Sequence, residues 1–196
     1  LLNLYLTEMT NIVFEQNGML DKYVGDELMA VYGAPLHTPN HPIDACTSAL
    51  LMMEKLKEVQ ATWAKEGAEG PNIGIGLHTG EMVVGNMGSS TIFDYTVIGD
   101  NVNLGARLEG TNKEYKTNII TSEETYMLIK EKIICRPLDY IRVRGKFEPV
   151  QIYEVCGFTI SDDQKRNLEW FAKGLEWYRK MQWSKAIEMF EKAKGD

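Results

Sequence analysis

Within DYTVIGDNVNLGARLEG, residues 94–110, a strand, a glycine turn and a helix follow one another, and no other stretch restricts the fold as much. Residues 95–98 read as the strand, Gly99-Asp100 as the turn, and residues from about 100 to 115 as the helix. Asn103 and Arg107 are four residues apart, about one turn, so both side chains project from one helix face. A fork of N–H donors beside a neutral amide suits a polyphosphate whose charge changes during reaction. Upstream, DKYVGDELMAVYGAP (residues 21–35) reads as two short strands about Gly25-Asp26. That leaves the Asp26 carboxylate at a turn, in a position to hold Mg²⁺.

The remaining pattern alternates helices and strands. Leu2, Tyr5, Leu6, Met9, Ile12 and Val13 keep helical spacing up to a stop near Asn17-Gly18. A second amphipathic helix is predicted over about residues 42–65, burying Cys46, Ala49, Leu50, Met53 and Leu56. The period then changes to two at Ile73, Ile75 and Leu77, and Thr79-Gly80-Glu81 turns that strand into Met82-Val83-Val84. A short strand at 118–121, a helix opened by Ser122 and reaching about Lys130, and a β pair at 133–143 and 150–155 complete the set. This mixture predicts an α+β fold, a ferredoxin-like βαββαβ-type antiparallel sheet with helices packed on it, plus a C-terminal helical hairpin.

That hairpin follows a shift to helix formers at Asp162. Trp170, Gly174, Trp177, Ala186, Phe190 and Ala193 fall on the spacing of a tetratricopeptide repeat. We therefore divide the chain into residues 1–157 and 162–196. A single repeat has no neighbour to stack on, so it either covers the edge of the first unit or begins an array.

Composition sets limits on function. A formal net charge of −7 argues against a general nucleic-acid surface, which needs clustered Lys and Arg. No apolar run approaches the roughly 18–20 residues that span a bilayer, and no secretory signal is read, so a cytoplasmic location is expected. Cys46, Cys135 and Cys156 lack any CxxC spacing and read as unpaired core thiols. His37 and His41 flank a proline-rich turn with no third ligand nearby, which disfavours zinc. His78, a lone histidine after a strand, is read as structural.

DKYVGDELMAVYGAP, GLHTGEMVVGNMG and DYTVIGDNVNLGARLEG each fix several residue types at set spacings. In this order they resemble the catalytic domain of class III adenylate and guanylate cyclases over residues 1–157, in particular a bacterial adenylate cyclase subgroup with Thr at a base-reading place. The resemblance implies conversion of ATP to 3′,5′-cyclic AMP and pyrophosphate, with two Mg²⁺ or Mn²⁺ ions per site. It also implies a head-to-tail homodimer whose sites are shared across the interface. Residue by residue, it makes Asp26 a metal ligand, Lys22 and Thr96 the purine readers, Asn103 the residue that orients the ribose, and Arg107 the cation at the α-phosphate. Arg144 stands where the family carries a triphosphate-binding Lys, and Lys146 lies on the same strand face.

Family members take their other metal carboxylate from an F-x-D-I strand before the first helix, and residues 1–18 offer no match. We therefore expect a piece of a larger protein, membrane-attached or soluble, with a sensor or regulatory domain upstream. Two rival readings stay open. One is a guanylate cyclase, disfavoured because guanine-specific members generally carry Glu where this chain has Lys22. The other is a catalytically silent nucleotide- or partner-binding signalling module. Two local expectations are also exposed to test. Leu104, Ala106 and Leu108 beside Arg107 predict a buried guanidinium with an anionic partner, and Lys22 and Asp26 are expected to face different directions rather than form a surface ion pair.

Overall fold

The computed structural model describes residues 1–142 and 149–194. Helix α1 (Leu2–Glu15) buries Tyr5, Met9, Ile12 and Val13 of the predicted stripe, whereas Leu6 is half-buried and Leu2 exposed. At Gly18 a Cβ would lie 2.7 Å from both Val13 and the Tyr32 ring, so glycine lets the chain turn back tightly against the helix. It continues into β1 (Gly18–Val24), which pairs antiparallel with β2 (Glu27–Tyr32) around Gly25-Asp26. Gly25 has φ +67°, the left-handed region that favours glycine in such a turn.

Helix α2 (His41–Lys65) carries Pro42 in its first turn and buries Cys46, Ala49 and Leu56 as expected, joined by Met52 and Val59. Leu50 and Met53, predicted in the same stripe, are only half-buried. The strands β3 (Ile75–Leu77), β4 (Val83–Gly88) and β5 (Phe93–Ile98) follow, then α3 (Asp100–Tyr115), β6 (Ile119–Ser122), α4 (Glu123–Ile129), β7 (Ile134–Ile141) and β8 (Val150–Gly157). The main sheet has the order β3-β6-β8-β7, while β1-β2 and β4-β5 form ladders of their own.

The α+β class is the predicted one, with one correction to the sheet. β3 and β6 run parallel, so the sheet is mixed rather than wholly antiparallel. A parallel pair needs a long crossover, and β4, β5 and α3 supply it. One core lies between α1, α2 and the first hairpin; a second lies under α3 around Leu104, Leu108, Ile120 and Ile152. A third joins α2 and α4 to the sheet through Cys46, Ile119, Ile129 and Ile133. Burial pushes the Cys46 thiol up to about 12 and the Cys156 thiol up to about 11, so both stay protonated near neutral pH.

Helix α3 meets β3 at closest range. A Cβ on Gly76 would lie 2.3 Å from both the Glu109 nitrogen and the Gly105 carbonyl oxygen. Beside it the buried Asn112 donates its amide hydrogens to Ile75 O at 3.1 Å and Glu109 O at 3.0 Å, and Thr117 Oγ1 donates to Asn112 Oδ1.

The tail is the predicted hairpin, α5 (Asp162–Arg179) and α6 (Trp183–Ala193). Ser161 and Gln164 form a capping box at its start. Gly174 leaves room for the Phe190 ring, which would stand 2.6 Å from a Cβ. Tyr178 is exposed and meets Trp183 edge-on. The hairpin contacts β7, where Arg136 stacks on Phe171 and Arg179 on Tyr140, each at 4.6 Å.

Two glycine substitutions separate packing from propensity. Gly76→Ala should lower stability by about 1–3 kcal/mol or more, the usual effect of overpacking against rigid backbone. Gly110→Ala, where a Cβ meets nothing within 4 Å, should instead raise stability by roughly 0.5–1 kcal/mol through helix propensity. Urea unfolding midpoints of the two variants check both signs.

Candidate active site

Gly99 joins β5 to α3 at φ +147° and ψ 167°, a conformation that residues with a Cβ seldom adopt. Its carbonyl accepts from Val102 N at 3.1 Å and Asn103 N at 3.3 Å, which starts the helix. Leu104 and Leu108 are fully buried, so the helix turns Asn103, Ala106 and Arg107 outward. The shared Asn103–Arg107 face is therefore as predicted. The expected burial of Arg107 is not. Its apolar neighbours occupy the inner face, about 100° away per residue, and the exposed guanidinium makes no ion pair among the described residues.

The first turn of α3 is held by a polar network. Asn101 Nδ2 donates to Glu81 O at 2.8 Å, which directs Asn101 Oδ1 toward His78 Nε2 at 3.0 Å. Nε2 therefore carries a hydrogen. On the other side of the ring Nδ1 lies 2.7 Å from Ser122 Oγ, which also accepts from Thr125 N as the N-cap of α4. His78, 2% exposed at its side chain, thus ties together the end of β3 and the starts of α3 and α4. The structural reading of this histidine holds.

A second cluster forms where β1 meets β5. Thr96 Oγ1 donates to Asp21 Oδ2 at 3.0 Å, and Lys22 Nζ stands 3.7 Å from the same oxygen. Lys22 pairs with Asp21 rather than with Asp26, which sits exposed at the hairpin turn. Sequence reasoning missed Asp21 altogether. The available signal was two successive polar residues, Asp21 and Lys22, between the apolar pairs Met19-Leu20 and Tyr23-Val24.

Asp26 offers hard oxygen donors to a divalent cation. Among the described residues no three His, Cys, Asp or Glu gather into a metal cluster. A carboxylate such as Asp26 fits the way Mg²⁺ is held by one or two carboxylates plus phosphates and water. His37 and His41 lie with ring centroids 5.9 Å apart, and burial together with His37 lowers the pKa of His41. Arg144 and Lys146 lie outside the described residues.

Comparison with known proteins places this geometry. Residues 1–158 match the family described as the adenylate and guanylate cyclase catalytic domain. Adenylate cyclase 1 of Rhizobium meliloti is 32% identical over 157 residues, covering 80% of this chain and 24% of that protein. Adenylate cyclase of Anabaena cylindrica is 35% identical over 161 residues, covering 79% of this chain and 31% of that protein. The chain thus spans less than a third of the length of these relatives. The adenylyl cyclase CyaB from P. aeruginosa superposes with a TM-score of 0.74 at 38% identity, covering 82% of each chain. The guanylyl cyclase Cya2 superposes with a TM-score of 0.72 at 30% identity, covering 82% of this chain and 81% of that one. No helix among the described residues is long and apolar enough to cross a membrane.

The two polar groups of α3 and β3 should respond oppositely to truncation. His78→Ala strands Ser122 and Asn101 and should cost about 1–3 kcal/mol. Arg107→Ala touches no partner and should leave stability within about 0.5 kcal/mol of the parent. Thermal and urea unfolding measure both, and an unfolding cost at Arg107 would place it in the scaffold.

Proposed function

This chain belongs to the adenylate and guanylate cyclase catalytic domains, and on that premise we propose that it is the catalytic part of an adenylate cyclase. It converts ATP to 3′,5′-cyclic AMP and pyrophosphate at sites shared across a head-to-tail homodimer. The observation that carries the reading is the convergence of Lys22 and Thr96 at one carboxylate, at the junction of two separate hairpins. An ammonium donor and a hydroxyl side by side match adenine N1, an acceptor, and the 6-amino group, a donor.

Asn103 orients the ribose and Arg107 meets the α-phosphate as charge develops there. Their exposure on a rigid helix supports these roles, since nothing in the described chain competes for either group. Asp26, with Mg²⁺ or Mn²⁺, holds one side of the triphosphate; two such ions, when bound, stabilise the attacking and leaving oxygens. The 3′-oxygen attacks the α-phosphorus in line as pyrophosphate departs, and what this chain contributes is positioning and electrostatics. By the family resemblance, Arg144 takes the place of the triphosphate-binding Lys, with Lys146 as a second cation on that segment.

Exposed Tyr23, Val24, Phe93 and Tyr95 on the two hairpins support a dimer, because they form apolar surface that a second copy covers. A sensor or regulatory domain in the same protein controls the pairing, and the reaction takes place in the cytoplasm, where ATP is supplied. The division at residues 157 and 162 leaves the hairpin as a tetratricopeptide-like unit, a reading that the Gly174–Phe190 packing supports.

Two measurements test the proposal. The full-length protein should show a higher kcat/KM for ATP than for GTP, and the reverse order would reassign it as a guanylate cyclase. Asp26→Ala and Arg107→Ala should each lose roughly 10²–10³-fold or more in kcat, the range typical of removing a preorganised charge. Mixed together they should recover up to about a quarter of parental activity, since random pairing leaves one intact site in half of the dimers. Absence of recovery, with subunit exchange shown independently, would rule out shared sites.

A further inference from the structure

We infer that Asp21 sets the base preference of the purine site by fixing the direction of the Thr96 hydroxyl and holding the Lys22 ammonium beside it. The inference rests on the adenylate cyclase reading and adds to it a positioning residue.

Successive residues of a strand point to opposite faces, so Asp21 and Lys22 should not meet. They do because the β1–β2 ladder slips between Leu20 and Lys22. Leu20 pairs with Ala30 and Lys22 with Met29, which leaves Asp21 as an unpaired extra residue. Such a bulge re-aims a side chain, and bulges concentrate beside active sites. Here it brings the Asp21 carboxylate beneath Lys22 and against Thr96 of the other hairpin.

The burial is unequal. The Asp21 side chain is 0% exposed, whereas that of Lys22 is 41% exposed. Asp21 Oδ1 is buried without a hydrogen-bond partner in the described chain. A buried carboxylate satisfied at only one oxygen is costly to a fold, and apolar packing would stabilise the junction better. Its position is explained by what it does to its neighbours.

A carboxylate only accepts hydrogen bonds, so Thr96 must give its single hydroxyl hydrogen to Asp21 Oδ2. The outward side of the Thr96 oxygen then presents lone pairs alone. Adenine offers an N–H donor at position 6 and an acceptor at N1; guanine offers an acceptor and a donor at the same places. With Thr96 locked as an acceptor and Lys22 as a donor, both contacts suit adenine and both oppose guanine. Released from Asp21, the hydroxyl rotates and donates to the guanine 6-oxygen equally well. Asp21 thus converts an ambidextrous threonine into a one-way reader.

The test is kcat/KM for ATP and for GTP in the full-length protein, the Asp21→Ala and Thr96→Val variants, and the double variant. Asp21→Ala should cut the ATP:GTP ratio about tenfold or more, the scale of one buried hydrogen bond, mainly through better use of GTP. In the Thr96→Val background, where no hydroxyl is left to direct and only the hold on Lys22 remains, the same change should move the ratio by a much smaller factor, which a merely structural role would not produce. Should the alanine variant not fold, the isosteric Asp21→Asn decides. Its amide donates as well as accepts, so the ratio should fall in the same direction by a smaller factor. A parent that prefers ATP with an unchanged ratio in the folded variants overturns the role of Asp21 and leaves the adenylate cyclase reading intact. A parent that prefers GTP overturns both.

Discussion

Helix α3 rests on strand β3 with no side chain between them at Gly76, and the rest of the site depends on that contact. Because backbone meets backbone there, the helix can neither rise from the sheet nor roll on it. Asn112 fixes the roll from the inner side through its bonds to Ile75 and Glu109. Burial of Leu104 and Leu108 then dictates that Asn103 and Arg107 face outward. At the helix start Gly99 and Asn101 lock the axial position, with Asn101 tied through His78 to the cap of α4. The donors proposed to meet phosphate and ribose are thereby placed by elements whose own polar groups are already satisfied, as preorganised catalysis requires.

What the sequence made legible follows from how local each signal is. The bounds of α3 and β2, and the existence of both tail helices, are readable because their glycines, caps and apolar spacing lie within the element itself. The parallel pairing of β3 with β6 is not, since it depends on a crossover of two strands and a helix. Arg107 shows the same limit at one residue. Apolar neighbours in sequence suggested burial, but on a helix the residues adjacent in sequence lie on other faces. Asp21 was hidden for a related reason, because a bulge is a property of the paired ladder and not of one strand. The motifs found Lys22 and Thr96 individually; only the fold shows that they share an oxygen.

Satisfaction of polar groups separates scaffold from chemistry in this molecule. His78, Asn101, Asn112, Ser122 and Thr117 all spend their hydrogen bonds on backbone or on one another. Asn103, Arg107 and Asp26 are exposed instead. A charged group costs least when it stays in water until its partner arrives, and it is then worth most where water is excluded. A single chain leaves these groups in water, and leaves Tyr23, Val24, Phe93 and Tyr95 exposed as well. Covering those surfaces with a second copy would exclude water from the same neighbourhood. Dimerisation and catalysis would then share one physical cause, since the step that buries the hairpin tips would also lower the dielectric around the cations proposed to meet phosphate. Asp21 is the exception that fits this logic. It is already buried in the single chain, because its task is to orient two neighbours before any nucleotide enters.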